Sequence, residues 1–137
     1  MFQPIVSVLQ SILAFVSAQF SGWQTLRIIS AATNNKASLR SRPTLLGGWY
    51  ITNTNAAVRY VKLYDRADVP DPTCTTCQPI LTLAIPGNTA GAGTNIDFGR
   101  GIEFRYGLGI LITTNVDDGT TQSAVAASEI VVNLFYK

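Results

Sequence analysis

The stretch 101–115, GIEFRYGLGILITTN, places Ile102, Phe104, Tyr106, Leu108, Ile110 and Ile112 at one parity, with mostly small or charged residues between them. Apolar side chains recurring every second residue mark a strand with one buried face, so 101–115 is predicted as one long half-buried strand. Downstream, 116–121 holds Asp117-Asp118-Gly119 and reads as a turn, and 124–136 reads as a last strand, strongest in its final EIVVNLFYK. Upstream, 99–101 reads as a turn, 94–98 as a short edge strand, and 80–85 as a strand with Leu81, Leu83 and Ile85 on one face, stopped by Pro86-Gly87.

The same alternation predicts strands at 57–64, 45–54 and 23–32. In the first of these, Val61 and Leu63 face one side and Tyr60, Lys62 and Tyr64 the other. Gly47-Gly48 inside 45–54 points to a bulge or a close backbone approach, Asn55-Ala56 to a turn, and the polar 33–38 to another. The stretch 65–79 has three prolines and three aspartates and is predicted as a loop. Short strands separated by turn signals, with no helical pattern between them, indicate an all-β antiparallel sandwich, jelly-roll-like, and exclude a parallel α/β fold.

Residues 1–26 carry no charge, and Ile5, Val8, Leu9, Ile12, Leu13, Val16 and Phe20 recur at helical spacing opposite Ser7, Gln10, Ser11 and Gln19. This predicts an amphipathic helix or arm over 1–22, with Pro4 at a tolerated early position, preceding a sandwich domain over 23–137. A secretory signal would need a positively charged n-region, which is missing, and a membrane span would need about 20 predominantly apolar residues. Neither is expected. Ile5, Leu9, Ile12 and Val16 follow a 4-3-4 spacing suited to a subunit interface, with packing on the chain's own sandwich as the alternative.

A chain of 137 residues with 47% hydrophobic and 13% charged residues fits one domain whose exterior is largely Ser, Thr, Asn, Gln and Gly, which suits extracellular or particle-bound life. The net charge of +2 conceals an asymmetry: Arg27, Lys36, Arg40, Arg42, Arg59 and Lys62 are the only charges before residue 65, and all eight acids follow. The halves either pair within one sandwich or leave a basic face for an acidic partner. Six dispersed bases with no nucleic-acid-binding signature argue against nucleic acid as a partner.

The chain has no histidine, the commonest general base and metal ligand. Asp65, Asp68 and Asp71 offer oxygen ligands but not EF-hand spacing, and the Gly-rich 87–93 lacks the Gly-Lys-Ser/Thr ending of a phosphate loop. Cys74 and Cys77 supply half a zinc site at most and lie in a loop, not at the helix start a redox pair needs. A disulfide, within the loop or to a neighbouring subunit, and a pair of free thiols remain. Trp23, Trp49, Tyr50, Tyr60 and Tyr64 suggest a carbohydrate-stacking platform, or core and interface aromatics. No catalytic residue, cofactor, metal or small-molecule substrate is expected, so the chain reads as a scaffold that binds.

In order, RIISAATNN at 27–35, GWYITNTNAAVRYVKLYD at 48–65, IPG at 85–87, GIEFRYGLGILITTN at 101–115 and EIVVNLFYK at 129–137 resemble a family of small tailed-bacteriophage virion proteins that includes capsid decoration, or cement, proteins. The likeness covers nearly everything after residue 26, and the N-terminal segment is not part of it. It implies a β-sandwich, often a homotrimer, on the outside of an icosahedral shell, bracing neighbouring subunits of the major capsid protein. Arg27, Lys36, Arg40 and Arg42 are then the expected contacts to acidic shell residues. A tail, fibre or baseplate component binding a host glycan is the alternative.

Overall fold

The computed structural model describes residues 3–20 and 22–137. An N-terminal helix, α1 (Gln3–Phe20), precedes eight strands: β1 (Gln24–Ile29), β2 (Ala37–Arg40), β3 (Thr44–Asn53), β4 (Arg59–Asp65), β5 (Leu81–Ile85), β6 (Ala92–Phe104), β7 (Leu108–Thr113) and β8 (Ile130–Tyr136). They form two four-stranded antiparallel sheets, A in the order β1-β8-β3-β6 and B in the order β2-β7-β4-β5. The ladders β1·β8, β2·β7, β3·β6 and β4·β5 join strands whose numbers sum to nine. The chain is thus a two-stranded ribbon, closed at β4–β5, that rolls alternately into sheet A and sheet B, with β3·β8 and β4·β7 as the seams between its turns. This is the eight-stranded jelly roll.

The stretch 101–115 is not one strand. Its first part ends β6 in sheet A and its second is β7 in sheet B, with a corner at 105–107. Phe104, Leu108, Ile110 and Ile112 are all core residues, so the parity survives the change of sheet, but Tyr106 stands at the corner, 62% exposed. The Asp65 carboxylate accepts a hydrogen bond from the Tyr106 N–H at 2.8 Å. Gly107 lies so close to Arg66 O, 2.7 Å from where a Cβ would sit, that only a glycine fits there.

Two further boundaries differ from expectation. Residues 33–38, read as a turn, contain the start of β2, whose four half-buried residues give too short an alternation to register; Leu39 packs on the core. The turn itself is 31–36, where the Asn35 carboxamide bonds Ala31 N, Ala31 O and Thr33 O at 2.7–3.0 Å with Asn35 at φ 51°. Residues 99–101 lie inside β6, which runs for 13 residues, yet its pairing with β3 passes from Asp97 straight to Ile102, so the chain bulges out here, with Gly101 at φ 82°. The bulge lies where Gly47-Gly48 indicated it, the β3 register shifting between Leu46 and Gly48 against both neighbours. Gly47 leaves room for the Trp23 ring, 2.6 Å from where its Cβ would be, and Gly48 meets the Ile96 carbonyl.

Between the sheets lie Leu46, Trp49, Ile51, Val61, Leu63, Ile85, Phe104, Leu108, Ile110, Ile112, Ile130, Val132 and Leu134. Two-sided burial distinguishes sheet B: all six residues of β7 and Val61–Tyr64 of β4 are buried. The chain's own loops 66–80 and 114–129 cover the outer face of sheet B over β7 and over Lys62 and Tyr64 of β4, while Thr82 and Ala84 of edge strand β5 stay exposed. Pro70 packs on Gly109, Ser38 Oγ donates to Ala67 O at 2.7 Å, and Thr113 Oγ1 donates to Ser123 O at 3.0 Å.

Candidate functional site

Lys62 points away from the sandwich core yet is fully buried, because loop 114–129 closes over it. Its Nζ donates to Asp118 Oδ1 at 2.7 Å, to Gln122 Oε1 at 3.0 Å and to Asp117 O, so the ammonium's three donors meet three acceptors. Burial, then the Asp118 charge, pushes the neighbouring Tyr64 phenol up. At the loop's other end, Arg59 Nε donates to Glu129 Oε1 at 2.7 Å and Asn55 Nδ2 to Glu129 Oε2 at 2.8 Å. Burial pushes the Glu129 carboxyl up, but the bonds from Arg59, the backbone and Asn55 outweigh it and hold the group below its ordinary value. Both pairs join a base from before residue 65 to an acid from after it, so the two halves of the charge pattern meet in this loop.

Three further acids are engaged separately. Asp65 holds the corner at Tyr106, Asp68 takes two bonds from Arg66 at 2.8 and 2.9 Å, and Asp71 accepts from Thr73 N and Oγ1 at 3.0 and 2.8 Å. Among the described residues no three of His, Cys, Asp and Glu are grouped to hold a metal ion. Cys74 and Cys77 are joined by a disulfide within loop 66–80, 5.2 Å between Cα atoms. The five aromatics do not form a platform: Trp49 and Tyr64 are buried, Tyr60 is half-buried, and Trp23 sits over Gly47 beneath Lys137 Nζ, 4.8 Å from its ring.

Sheet A presents the opposite picture to sheet B. Leu26, Ile28, Trp49, Ile51, Val132 and Leu134 point into the core, so their neighbours point outward. Register places Arg27, Asn133, Tyr50 and Asn95 in one row across all four strands. The flanking rows are Thr25, Phe135, Gly48, Asp97 and Ile29, Val131, Thr52, Gly93. Tyr50 is 52% and Ile29 47% exposed. Within these three rows the only charges are Arg27 and Asp97; the exposed Glu103 lies further along β6, opposite Leu45. An aromatic, an arginine and amides at the centre of a sparsely charged face are the composition of protein interfaces, where Tyr and Arg are enriched and most other charges depleted.

The residues expected to touch an acidic partner divide accordingly. Arg27 stands in the central row; Lys36 and Arg42 are exposed on either side of edge strand β2. Arg40 is turned inward, its guanidinium 4.6 Å from the Tyr136 ring centre. Sequence reasoning missed the row itself, because Tyr50, Asn95, Asn133 and Arg27 come from four separated segments.

On α1, Ile5, Leu9, Ile12 and Val16 are 57%, 59%, 53% and 41% exposed, so they do not pack on the chain's own sandwich. The side chains at 17–20, Phe20 and Gln19 of the predicted pattern among them, lie outside the described residues. No helix among the described residues is long and apolar enough to cross a membrane.

Neither a protein-family model nor a curated protein matches the chain. Among solved structures it is similar to the coat protein of Tobacco streak virus, at 12% identity and a TM-score of 0.36, over 82% of this chain and 85% of that one. The jelly roll itself is defined by the strand order and registers.

Proposed function

We propose that this protein is a structural component of a virus particle, a decoration protein that binds the outer face of a phage shell and braces adjacent subunits of the major capsid protein. Jelly rolls serve as viral capsid and lectin domains among others, so fold alone does not decide between functions. The reading is carried by the asymmetry of the sandwich: the central strands of sheet B are covered by the chain's own loops, while sheet A offers the open row Arg27, Asn133, Tyr50 and Asn95. The sequence resemblance to phage decoration proteins points the same way. Its mechanism is association, since any ligand of the assembled shell adds its own contacts to those that must break before the shell comes apart.

Quantitative mass spectrometry of purified particles tests this. A copy number at a fixed simple ratio to the major capsid protein is expected, and Tyr50→Ala combined with Arg27→Glu is expected to empty those sites without unfolding the sandwich. Absence from particles ends the virion reading. A handful of copies per particle with saturable sugar binding at Tyr50, which overlooks a shallow depression lined by Thr52, Thr94 and Asn95, would favour the glycan-binding tail component.

A further inference from the structure

The helix α1 carries a heptad pattern more complete than its four-residue stripe. With Ile5 and Ile12 at d and Leu9 and Val16 at a, Val6 and Leu13 fall at e and Val8 and Phe15 at g. Positions b, c and f hold Gln3, Gln10, Pro4, Ser11, Ser7 and Ala14. The apolar residues therefore sweep roughly half the helix circumference at 100° per residue. All eight of these side chains are 41–65% exposed, so nothing among the described residues covers them.

A two-stranded coiled coil buries a narrow a/d seam and leaves e and g to charged side chains. Here e and g are apolar and the helix has no charge at all, so neither a dimer seam nor an electrostatic address to a different partner is encoded. Leucine at a with isoleucine at d shifts preference toward three or four strands, in which each helix is flanked on both sides and the e and g residues are buried as well. An uncharged helix also meets no like-charge repulsion on a symmetry axis shared with copies of itself.

We propose that α1 is the self-association element of this protein: three or four copies pack their α1 helices in parallel around one axis, with Ile5, Leu9, Ile12 and Val16 forming successive layers and Val6, Val8, Leu13 and Phe15 sealing the flanks. The occupant of the apolar face is the same face of another copy. The inference deepens the particle reading, because a cluster of sandwiches on one axis engages several shell subunits at once. It does not depend on that reading, since it concerns the chain alone.

Sedimentation equilibrium and native mass spectrometry of the full purified chain, without particles, test it. A trimer or tetramer is expected, dissociating on dilution because the seam spans only two heptads. Leu9→Glu and Ile12→Glu are expected to give monomer with an unchanged near-ultraviolet spectrum of the sandwich, and Ser7→Glu and Gln10→Glu, at f and b, to leave the oligomer intact. A wild-type monomer or dimer, an oligomer that survives both core substitutions, or a monomer that floats with neutral phospholipid vesicles would each overturn the proposal. Absence of the chain from particles would defeat the decoration reading and leave this one standing.

Discussion

Truncating Lys62 should release the loop that covers sheet B. The side chain is fully buried and its Nζ meets Asp117 O, Asp118 Oδ1 and Gln122 Oε1. Removing one partner of a buried ion pair costs about 3–5 kcal/mol. Asp118 is 29% exposed and can rehydrate when the ammonium is gone, which moves the estimate to the low end. Gln122, 5% exposed, and the Asp117 carbonyl keep acceptors with no donor, and the four-methylene stem leaves a void. Lys62→Ala should therefore lose about 3 kcal/mol, a fall in melting temperature on the order of 10 °C for a domain of this size. Lys62→Met, which keeps the stem volume, should lose about 2 kcal/mol. Urea unfolding gives the free energies, and limited proteolysis should show first cleavage moving into 114–129. A loss below about 1 kcal/mol for Lys62→Ala, or a loss with the loop still protected, would refute the clamp.

Three other outcomes are expected from the same structure. Glu129 is held below its ordinary value of 4.5, so its contribution is present above that pH and lost as pH falls through the lower folded value; Glu129→Gln should flatten this part of the acid-unfolding profile. Asp68, Asp71 and Asp117, though also lowered by their hydrogen bonds, are fully exposed and should change the profile little when replaced. Gly48→Ala drives a methyl into the Ile96 carbonyl and should cost about 3 kcal/mol, whereas Gly47→Ala meets a side chain, the Trp23 ring, and should cost about 1 kcal/mol with a change in tryptophan emission; equal costs on urea unfolding would contradict this contrast. Reducing Cys74–Cys77, a bond between residues three apart, should cost no more than about 2 kcal/mol by loop-closure entropy, and because the bond lies within one chain the unreduced protein should run as monomer on non-reducing gels.

Local periodicity determined most of the strands of this chain and which side of each is apolar, β2 being too short to register. Two-residue alternation marked β3, β4, β5 and β8 within a few residues apart from an early start to β8, and the 3.6-residue repeat marked α1, because both patterns arise from backbone geometry acting over single elements. Gly47-Gly48 announced the bulge for the same local reason. Periodicity is silent about which sheet a strand joins. The apolar parity of 101–115 continues across a three-residue corner, so one strand and two strands in different sheets look alike in sequence; Asp65 and Gly107, brought together by the roll of the ribbon, decide it.

Tertiary structure alone also decided what each outward face does. Tyr60, Lys62 and Tyr64 alternate with the core as surface residues would, yet Lys62 is buried because loop 114–129, whose Asp118 is 56 residues further along the chain, folds back over sheet B, and Tyr64 is buried between that loop and 66–80. Tyr50 alternates identically and stays 52% exposed because no loop among the described residues folds back over it. An alternating pattern reports a contrast between two faces of a strand, and burial of the polar face depends on where distant loops end.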